Sequence, residues 1–321
     1  RFKSNGRENL YFLAWTTTPW TLPANMSLCV GSKLTYCEIR DKKSGDCYLL
    51  TKNRIEVYFE DGSYEVLAEM KGTDLKGMTY EPLFDFAKKV VDTDNAWTVQ
   101  LDDYVSDESG TGIVHLACFG EDDVRIFQRE GIPIFDPVDD EGNFLDYMGF
   151  IAGMNIKDAD KSIVQHLKGE HKMFHHETVQ HSYPFCWRTD TPLIYKPIST
   201  WFVNVEAIKE QMTAHNRTVH WVPGHIRDGR FGKWLENARD WAISRNRFWG
   251  TPLPVWKSDD GDIWCIGSVA ELQEVTGEKV TDLHKHFVDP LVIKRNGKTY
   301  RRIPEVLDCW FESGSMPYAQ E

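Results

Sequence analysis

The 321-residue chain carries 37 Lys and Arg residues against 49 Asp and Glu residues, which gives a net charge of −12. Hydrophobic residues make up 41% and charged residues 27%, a balance typical of globular proteins, and the length predicts two or three domains. The negative charge weighs against a general nucleic-acid coat protein, because its field repels phosphate. No apolar run approaches the roughly 18 residues that a membrane helix needs.

The seven cysteines are widely spaced and form no Cys-x-x-Cys pair. Neither a zinc ribbon nor a thioredoxin-type redox pair is therefore predicted, and free thiols indicate a reducing compartment. With no signal peptide in the sequence, we expect a cytoplasmic protein without membrane association. Since the sequence starts at Arg1 rather than at Met, we expect it to be part of a longer chain.

Short runs of aromatic and β-branched residues predict strands in the first half of the chain, at residues 10–15, 35–40, 47–51, 97–105 and 111–117. A helix is predicted to begin at the acidic cluster 121–123 and to end at Gly131, and a second helix is predicted at 158–167. Many short strands of uneven spacing favour a barrel or a compact β domain.

The second half of the chain has a different character. Residues 181–204 are rich in aromatic residues and Pro, which predicts an irregular connector. Helices are predicted at about 205–215 and 230–238, before a buried strand at 241–244, and this order indicates the start of an α/β unit. Basic and aromatic residues alternate over 221–250, which favours either nucleic-acid contact or a solvated helix face above an aromatic core.

A threonine-rich loop follows the first predicted strand. Thr16, Thr17 and Thr18 present three successive hydroxyls, each able to donate and accept hydrogen bonds, and Pro19 keeps Thr18 out of helical geometry. Such a loop can hold a sugar edge or an ammonium group. The alternative interpretation is a strand end in which Thr is favoured by its β propensity.

Glycines precede a second polar segment, in which a predicted strand ends at His115 and a helix opens with three acidic residues. A carboxylate at a helix N-terminus is kept ionised by the free N–H groups, so Asp122 or Asp123 is a candidate anchor for a cationic group. Alternatively, one acid is an N-cap and His115 is an ordinary buried histidine. The chain lacks the phosphate-binding motifs G-x-x-x-x-G-K-[ST] and G-x-G-x-x-G, and it has no G-x-S-x-G or H-E-x-x-H motif.

These segments together resemble the editing domain of class I aminoacyl-tRNA synthetases, and within that family the isoleucyl, eukaryotic-like type. The resemblance begins with the Thr-rich run through Asn25, Gly-Thr-Gly-Ile-Val-His at 110–115 and Gly-Glu-Asp-Asp at 120–123. It continues through residues 158–163, 183–188, 191–195, 240–247 and 310–315, and so covers nearly the whole chain.

The resemblance implies an α+β fold, in which a β-barrel editing domain with peripheral helices occupies residues 1–180. A connector at 181–228 then returns to a partial α/β Rossmann-type segment, the start of the second half of the catalytic core, at 229–321. The implied reaction is hydrolysis of valyl-tRNA made in error on the isoleucine tRNA. One missing methylene discriminates by only about 1–3 kcal/mol, so a second site must remove the error.

The resemblance also implies roles for particular residues. The Thr-rich loop and the Asn surround the terminal adenosine and the ester, His115 crowds the side-chain pocket, and Asp123 binds the amino group while water attacks the ester. No covalent protein nucleophile is expected. The implied catalytic residues are Thr16, Thr17, Thr18, His115 and Asp123, and the implied substrate-binding residues are Trp20, Thr21, Asn25, Gly112 and Asp122.

Two departures from the family pattern bear on these expectations. The family usually has His-x-Ala-Pro-x-Phe-Gly, whereas the run from His115 to Gly120 is one residue shorter and lacks the Pro. Many relatives have a Cys-x-x-Cys where this chain reads Cys-Trp-Arg-Thr from Cys186, so neither zinc nor another metal is expected. H-I-G-H and K-M-S-K-S are absent, so ATP and Mg are expected to serve only the full-length enzyme, and no cofactor is expected for editing.

The expected partners are valine-charged isoleucine tRNA and the rest of the synthetase chain. Trp310 is either a remnant of the adenylate pocket or a core-packing residue. Three other interpretations remain open: the editing region of a valyl- or leucyl-tRNA synthetase, a non-catalytic tRNA-docking module, and a metal protein built on the His-rich segment 171–177.

Overall fold

The computed structural model describes residues 1–180 and 182–320, and the chain forms two compact units, Arg1–Pro197 and Ile198–Glu321. The boundary between the units lies inside the predicted connector at 181–228. The division into an editing domain, a connector and a part of the catalytic core stays a prediction. In the part of the chain that is described, no helix has both the length and the apolar character to cross a membrane.

The first unit contains eight strands and four α-helices among its described residues. The strands are β1 Phe2–Lys3, β2 Leu10–Phe12, β3 Ser27–Val30, β4 Thr35–Asp41, β5 Cys47–Thr51, β6 Tyr64–Lys71, β7 Thr98–Leu101 and β8 Ile113–Leu116. The helices are α1 Ile55–Tyr58, α2 Gly72–Leu75, α3 Glu121–Glu130 and α4 Ile156–Gly169, with 3-10 turns at Pro19–Ala24, Lys52–Arg54, Phe86–Lys89 and Gly149–Ile151.

The strands of this unit form two sheets. One has the order β1-β2-β5-β4-β6 and the other has the order β7-β3-β8. Both faces of the larger sheet are covered at β5, because alternate residues of this strand point into different cores: Leu49 packs into the main core, whereas Tyr48 and Leu50 pack into a smaller one. The sequence of a strand that is buried on both faces is a continuous run of mostly apolar residues. This pattern is why β5 could be predicted.

The predicted barrel is not formed. In the described residues the two sheets remain open, with β1 and β6 at the edges of the larger sheet and β7 and β8 at those of the smaller. The sheets meet through isolated contacts, such as the N–H of Thr51 donating to the carbonyl of Thr111 at 3.0 Å. Short strands of uneven spacing are compatible with both arrangements, and only their pairing distinguishes a barrel from two open sheets.

The second unit has eight further strands and six helices among its described residues. The strands are β9 Phe202–Val203, β10 Trp241–Ala242, β11 Ser244–Arg245, β12 Val255–Ser258, β13 Ile263–Cys265, β14 Val292–Arg295, β15 Lys298–Arg302 and β16 Val306–Leu307. The helices are α5 Lys209–Thr218, α6 His225–Asp228, α7 Arg230–Glu236, α8 Val269–Thr276, α9 Lys285–Val288 and α10 Cys309–Ala319.

A four-stranded antiparallel sheet, in the order β13-β12-β15-β14, is the main sheet of this unit. It packs with α8 and α9 around a core that includes Trp256, Leu272, Val288 and Ile293. The remaining strand pairs of the described unit, β9 with β10 and β11 with β16, are antiparallel as well. The parallel pairing of a Rossmann-type segment is therefore not confirmed, and the fold is a mixed arrangement of helices and several sheets.

Candidate functional site

Most of the residues that the sequence singled out in the first unit converge on one cavity. This cavity has a volume of about 350 Å³, and its wall includes Thr16, Thr17, Thr18, Thr21, Gly112, His115 and Asp123. A volume of this order lies at the lower end of the range for small-ligand pockets. Residues about 100 positions apart in the sequence are thus brought to a single concave site.

The smaller sheet explains this convergence. β8 pairs with β3, with His115 opposite Leu28, and this pairing fixes the direction in which β8 ends. An isolated parallel bridge joins Trp15 to Val114, so the loop that begins at Thr16 leaves the sheet beside His115. The hydroxyl of Thr111 donates to the carbonyl of Leu13 at 2.5 Å and anchors the same two segments further back.

Within the threonine loop the hydroxyls contact one another. The Thr18 N–H donates to the Thr16 hydroxyl at 3.0 Å, and the Thr18 hydroxyl lies 3.3 Å from that of Thr16 and 3.4 Å from that of Thr21. Thr17 is exposed. The loop therefore presents a row of groups that can donate and accept at the cavity wall, without a charged side chain.

His115 is held at the back of the cavity by Thr21. Its Nε2 lies 3.0 Å from the Thr21 hydroxyl, its side chain is buried, and its Nδ1 has no hydrogen-bond partner among the described residues. Burial lowers the pKa of His115 to about 4, because the charged imidazolium is disfavoured away from water. At neutral pH the ring is therefore an uncharged wall of the cavity.

Asp123 is the acidic group of the cavity. Its carboxylate folds back from the first turn of α3 and accepts the Ala117 N–H at 3.0 Å, close to Gly120, where a Cβ would lie 3.1 Å from the carboxyl carbon and crowd it. Burial, and secondarily the neighbouring Asp122, raise the pKa of Asp123 to about 6. The short segment 116–120 thus brings this acid to the same cavity as His115.

Three predicted substrate-binding residues lie outside the cavity wall. Trp20 is only 3% exposed and packs on Phe119, and Asp122 is exposed and paired with Arg125 at 2.8 Å. Asn25 is buried, and its amide donates to the Ser27 carbonyl at 2.8 Å. Its Oδ1 also accepts the Tyr80 hydroxyl at 2.7 Å. Their contact with a substrate stays a prediction. The observed contacts of Trp20 and Asn25 support the loop and the strand behind it, whereas Asp122 pairs within its own helix.

Other residues of the wall were not predicted. Tyr104, Ser106 and Ser109 come from the loop between β7 and β8 and lie at the cavity together with Phe119. The signal that could have found this loop is its position, since it directly precedes the Gly-Thr-Gly segment. Its polar composition alone is that of any surface loop.

The second unit contains a larger cavity, of about 1060 Å³, whose wall includes Arg245, Arg247 and Asp308. Trp310 is the second residue of α10, near this cavity, but it is 70% exposed and is not part of the wall. Core packing is therefore not its role in the described residues. Across residues 1–180 and 182–320, no group of three or more His, Cys, Asp or Glu side chains is arranged to hold a metal ion.

Comparisons with known proteins agree on one family. The family model described as tRNA synthetases class I (I, L, M and V) matches residues 21–321. An isoleucine–tRNA ligase of Chlamydia trachomatis is 51% identical over 312 residues, which are 97% of this chain and 30% of the relative. One of Protochlamydia amoebophila is 50% identical over 321 residues, covering 99% of this chain and 31% of the relative.

The chain thus spans about a third of the length of these curated relatives. Solved structures are more distant: the crystal structure of GlLeuRS-CP1 has a TM-score of 0.42 at 16% identity, covering 55% of this chain and 88% of that chain. A P. falciparum cytosolic leucyl-tRNA synthetase editing domain has a TM-score of 0.38 at 12% identity, covering 50% and 77%. These TM-scores are too low for the solved structures to support an assignment. The family match over residues 21–321 shows that the chain belongs to the class I tRNA synthetases of the I, L, M and V group.

Proposed function

We propose that the cavity of the first unit is the editing site of an isoleucyl-type synthetase and hydrolyses valyl-tRNA formed in error on the isoleucine tRNA. The observation that carries this proposal is the convergence of the threonine loop, His115 and Asp123 on one cavity. Identities of about 51% to isoleucine–tRNA ligases support the isoleucyl type over a valyl or leucyl one.

In this proposal each group of the cavity has a separate task. The hydroxyls of Thr16–Thr18 bind the ribose edge and the ester, and Asp123 binds the ammonium group of the amino acid. Uncharged His115 limits the space for the side chain, so that a valyl group enters and an isoleucyl group, one methylene larger, is excluded. The Rossmann-type architecture of the family remains part of the proposal for the full-length protein.

The chemistry is an ester hydrolysis without a protein nucleophile. Water attacks the ester carbonyl, the bond to the ribose oxygen breaks, and that oxygen regains a proton as valine leaves. Threonine hydroxyls can donate to the negative oxygen that forms in the transition state. ATP and Mg belong to ligation by the complete enzyme, and the residues of this chain are not assigned a step that uses them.

The proposed setting is the cytoplasm, with valine-charged isoleucine tRNA and the remainder of the synthetase as partners. Deacylation of valyl-tRNA and isoleucyl-tRNA, both on the isoleucine tRNA, tests the proposal with the 321-residue chain. Selective loss of the valyl ester is expected. The variant Asp123→Asn should be impaired, whereas Glu121→Gln, an exposed acid at the start of the same helix, should not be.

Two outcomes would contradict the editing proposal. If both esters were hydrolysed equally, the cavity would not discriminate between the side chains. If neither ester were hydrolysed while a valyl-adenosine analogue still bound, the non-catalytic docking module would be the better interpretation.

A further inference from the structure

The threonine loop is supported from behind by a residue that does not line the cavity. Asp160, on α4, accepts the backbone N–H of Trp20 with its Oδ1 at 2.7 Å, although the two residues are 140 positions apart. Trp20 belongs to the 3-10 turn Pro19–Ala24, which follows the loop directly. Asp160 therefore contacts the element that ends the loop, not the cavity itself.

The N–H of Trp20 requires an acceptor from elsewhere in the fold. The first N–H groups of a helical turn have no partner within the turn, and Pro19 has no N–H, so Trp20 carries the first free donor. The side chain of Thr18, at the N-cap, does not cap a backbone N–H of the turn. The Asp160 carboxylate supplies this missing cap, and such an ion-to-amide bond is stronger than a neutral one.

The backbone of the 3-10 turn connects this cap to hydrogen bonds that reach the cavity. The carbonyl of Thr18 accepts the Thr21 N–H at 3.0 Å and the Thr21 hydroxyl at 2.8 Å. Thr21 in turn contacts His115. The start of the 3-10 turn thus fixes the positions of the Thr18 hydroxyl and of the imidazole together.

The helix that carries Asp160 is itself firmly held. Ile156, Ala159, Ile163 and Leu167 form its buried face, and the Asn155 side chain caps it by accepting the Lys157 N–H at 3.2 Å. α4 also packs directly against the 3-10 turn. A packed and capped helix is a suitable support, because its side chains cannot shift without disturbing the core.

We propose that Asp160 is a positioning residue for the editing reaction, which holds the threonine loop in its productive geometry through the Trp20 N–H. This inference rests on the proposed function. Asp160 touches no substrate, and it acts only through the 3-10 turn. Its conservative replacement by Asn, whose Oδ1 can accept the same N–H, should therefore be tolerated, whereas Ala should not be.

The test compares Asp160→Ala, Asp160→Asn and the control Asp158→Asn, which removes an exposed carboxylate from the same helix. With valine-charged isoleucine tRNA as the substrate, Asp160→Ala should lower kcat roughly 10- to 100-fold, as expected for a misplaced reacting group. It should change KM by less than about 3-fold. Asp160→Asn should stay within about 3-fold of the wild type, and the control should be unchanged. Thermal unfolding must confirm that each variant is folded at the assay temperature.

A double variant shows whether Asp160 acts through the loop. If it does, Thr18→Ala combined with Asp160→Ala should be no slower than the slower single variant, because both changes disturb one element. Multiplicative losses, or a wild-type kcat for Asp160→Ala, would overturn the inference. Equal damage by Asn and Ala would also overturn it.

Amide hydrogen exchange separates this inference from the proposed function. Asp160→Ala should accelerate exchange at the Trp20 amide, and Asp160→Asn should not. If the wild type hydrolysed neither ester, the proposed function would fail, and unchanged exchange at Trp20 would independently show that Asp160 does not hold the loop.

Discussion

The imidazole Nε2 of His115 lies 3.0 Å from the hydroxyl of Thr21, and we infer that the ring donates this hydrogen bond. The direction follows from the hydroxyl's single proton, which Thr21 donates to the carbonyl of Thr18 at 2.8 Å, so that its oxygen can only accept from the ring. This direction assigns to His115 the tautomer protonated at Nε2, and the lowered pKa independently makes the ring neutral at pH 7. Thr21 thus fixes both the orientation and the protonation state of the cavity wall.

The variant Thr21→Val removes this acceptor while keeping the shape of the side chain. We expect a loss of about 1–3 kcal/mol in the free energy of unfolding, because the buried N–H of His115 is left without a partner. Thr21→Ser, which keeps the hydroxyl, should lose less. Urea unfolding of the three proteins measures the difference, and equal stability of the Val variant and the wild type would contradict the assigned hydrogen bond.

Binding of a cationic ligand by Asp123 should depend on pH. The pKa of this carboxyl is raised to about 6, so its ionised fraction falls about tenfold per unit at lower pH. The dissociation constant of a valyl-adenosine analogue, with an amide in place of the ester, should therefore rise below pH 6. Calorimetric titration of the wild type between pH 5 and 8 tests this expectation. Asp123→Asn should bind the analogue weakly at every pH, and the control Glu121→Gln should follow the wild type. A pH-independent wild type would argue against Asp123 as the ammonium ligand.

The ionisation of Asp123 should affect the stability of the fold in the opposite direction from ligand binding. Because the pKa of Asp123 is raised in the folded state, from 3.8 to about 6, the folded protein binds the proton more tightly. Burial of the ionised Asp123 carboxylate therefore lowers the free energy of unfolding above pH 6, and this destabilisation disappears as the pH falls towards 4.

We accordingly expect Asp123→Asn to stabilise the chain at pH 7.5 by about 1–3 kcal/mol, and this gain should vanish near pH 4. Asn retains an oxygen that can accept the Ala117 N–H. His115 titrates in an overlapping range with the opposite effect, since its lowered pKa favours the fold as pH rises, but it is present in both proteins and cancels in the comparison. Urea unfolding at the two pH values measures the difference, and a destabilised Asn variant at pH 7.5 would refute the burial cost.

Two glycines of similar backbone geometry should tolerate alanine very differently. Gly112, at the cavity, has a φ of +72°, and a Cβ there would lie 2.2 Å from the Thr51 side chain. Gly153 has a φ of +71° with nothing within 4 Å of the Cβ position. Gly153→Ala should cost about 1–2 kcal/mol from backbone strain alone, and Gly112→Ala should cost clearly more because the clash adds to it. Urea unfolding of both variants measures the loss in the free energy of unfolding. Equal losses would show that the Thr51 side chain can move aside without a measurable penalty.

Local sequence patterns predicted the elements whose own residues carry a strong signal. The acidic start and the Gly131 end of α3 were confirmed at Glu121–Glu130, and the apolar run of β5 was confirmed at Cys47–Thr51. β3 was missed, although it lies at the centre of the smaller sheet, because four residues between a Pro-rich turn and Gly31 give too short a pattern. The antiparallel sheet of the second unit was missed because its strands are short, although β12 and β13 are joined by only four residues and β14 and β15 by only two.

The sequence by itself determined the chemistry available at this site: hydroxyls in a row, the histidine that ends a strand at residue 115, and an acid at a helix start, with no phosphate-loop motif. The tertiary structure decided which of these groups meet. The pairing of β8 with β3 and the Trp15–Val114 bridge place Thr18, His115 and Asp123 at one cavity, and the same packing leaves Trp20 and Asn25 behind it. Strand register and long-range contacts such as that of Asp160 with Trp20 join residues far apart in the chain, and no local pattern of residues encodes them.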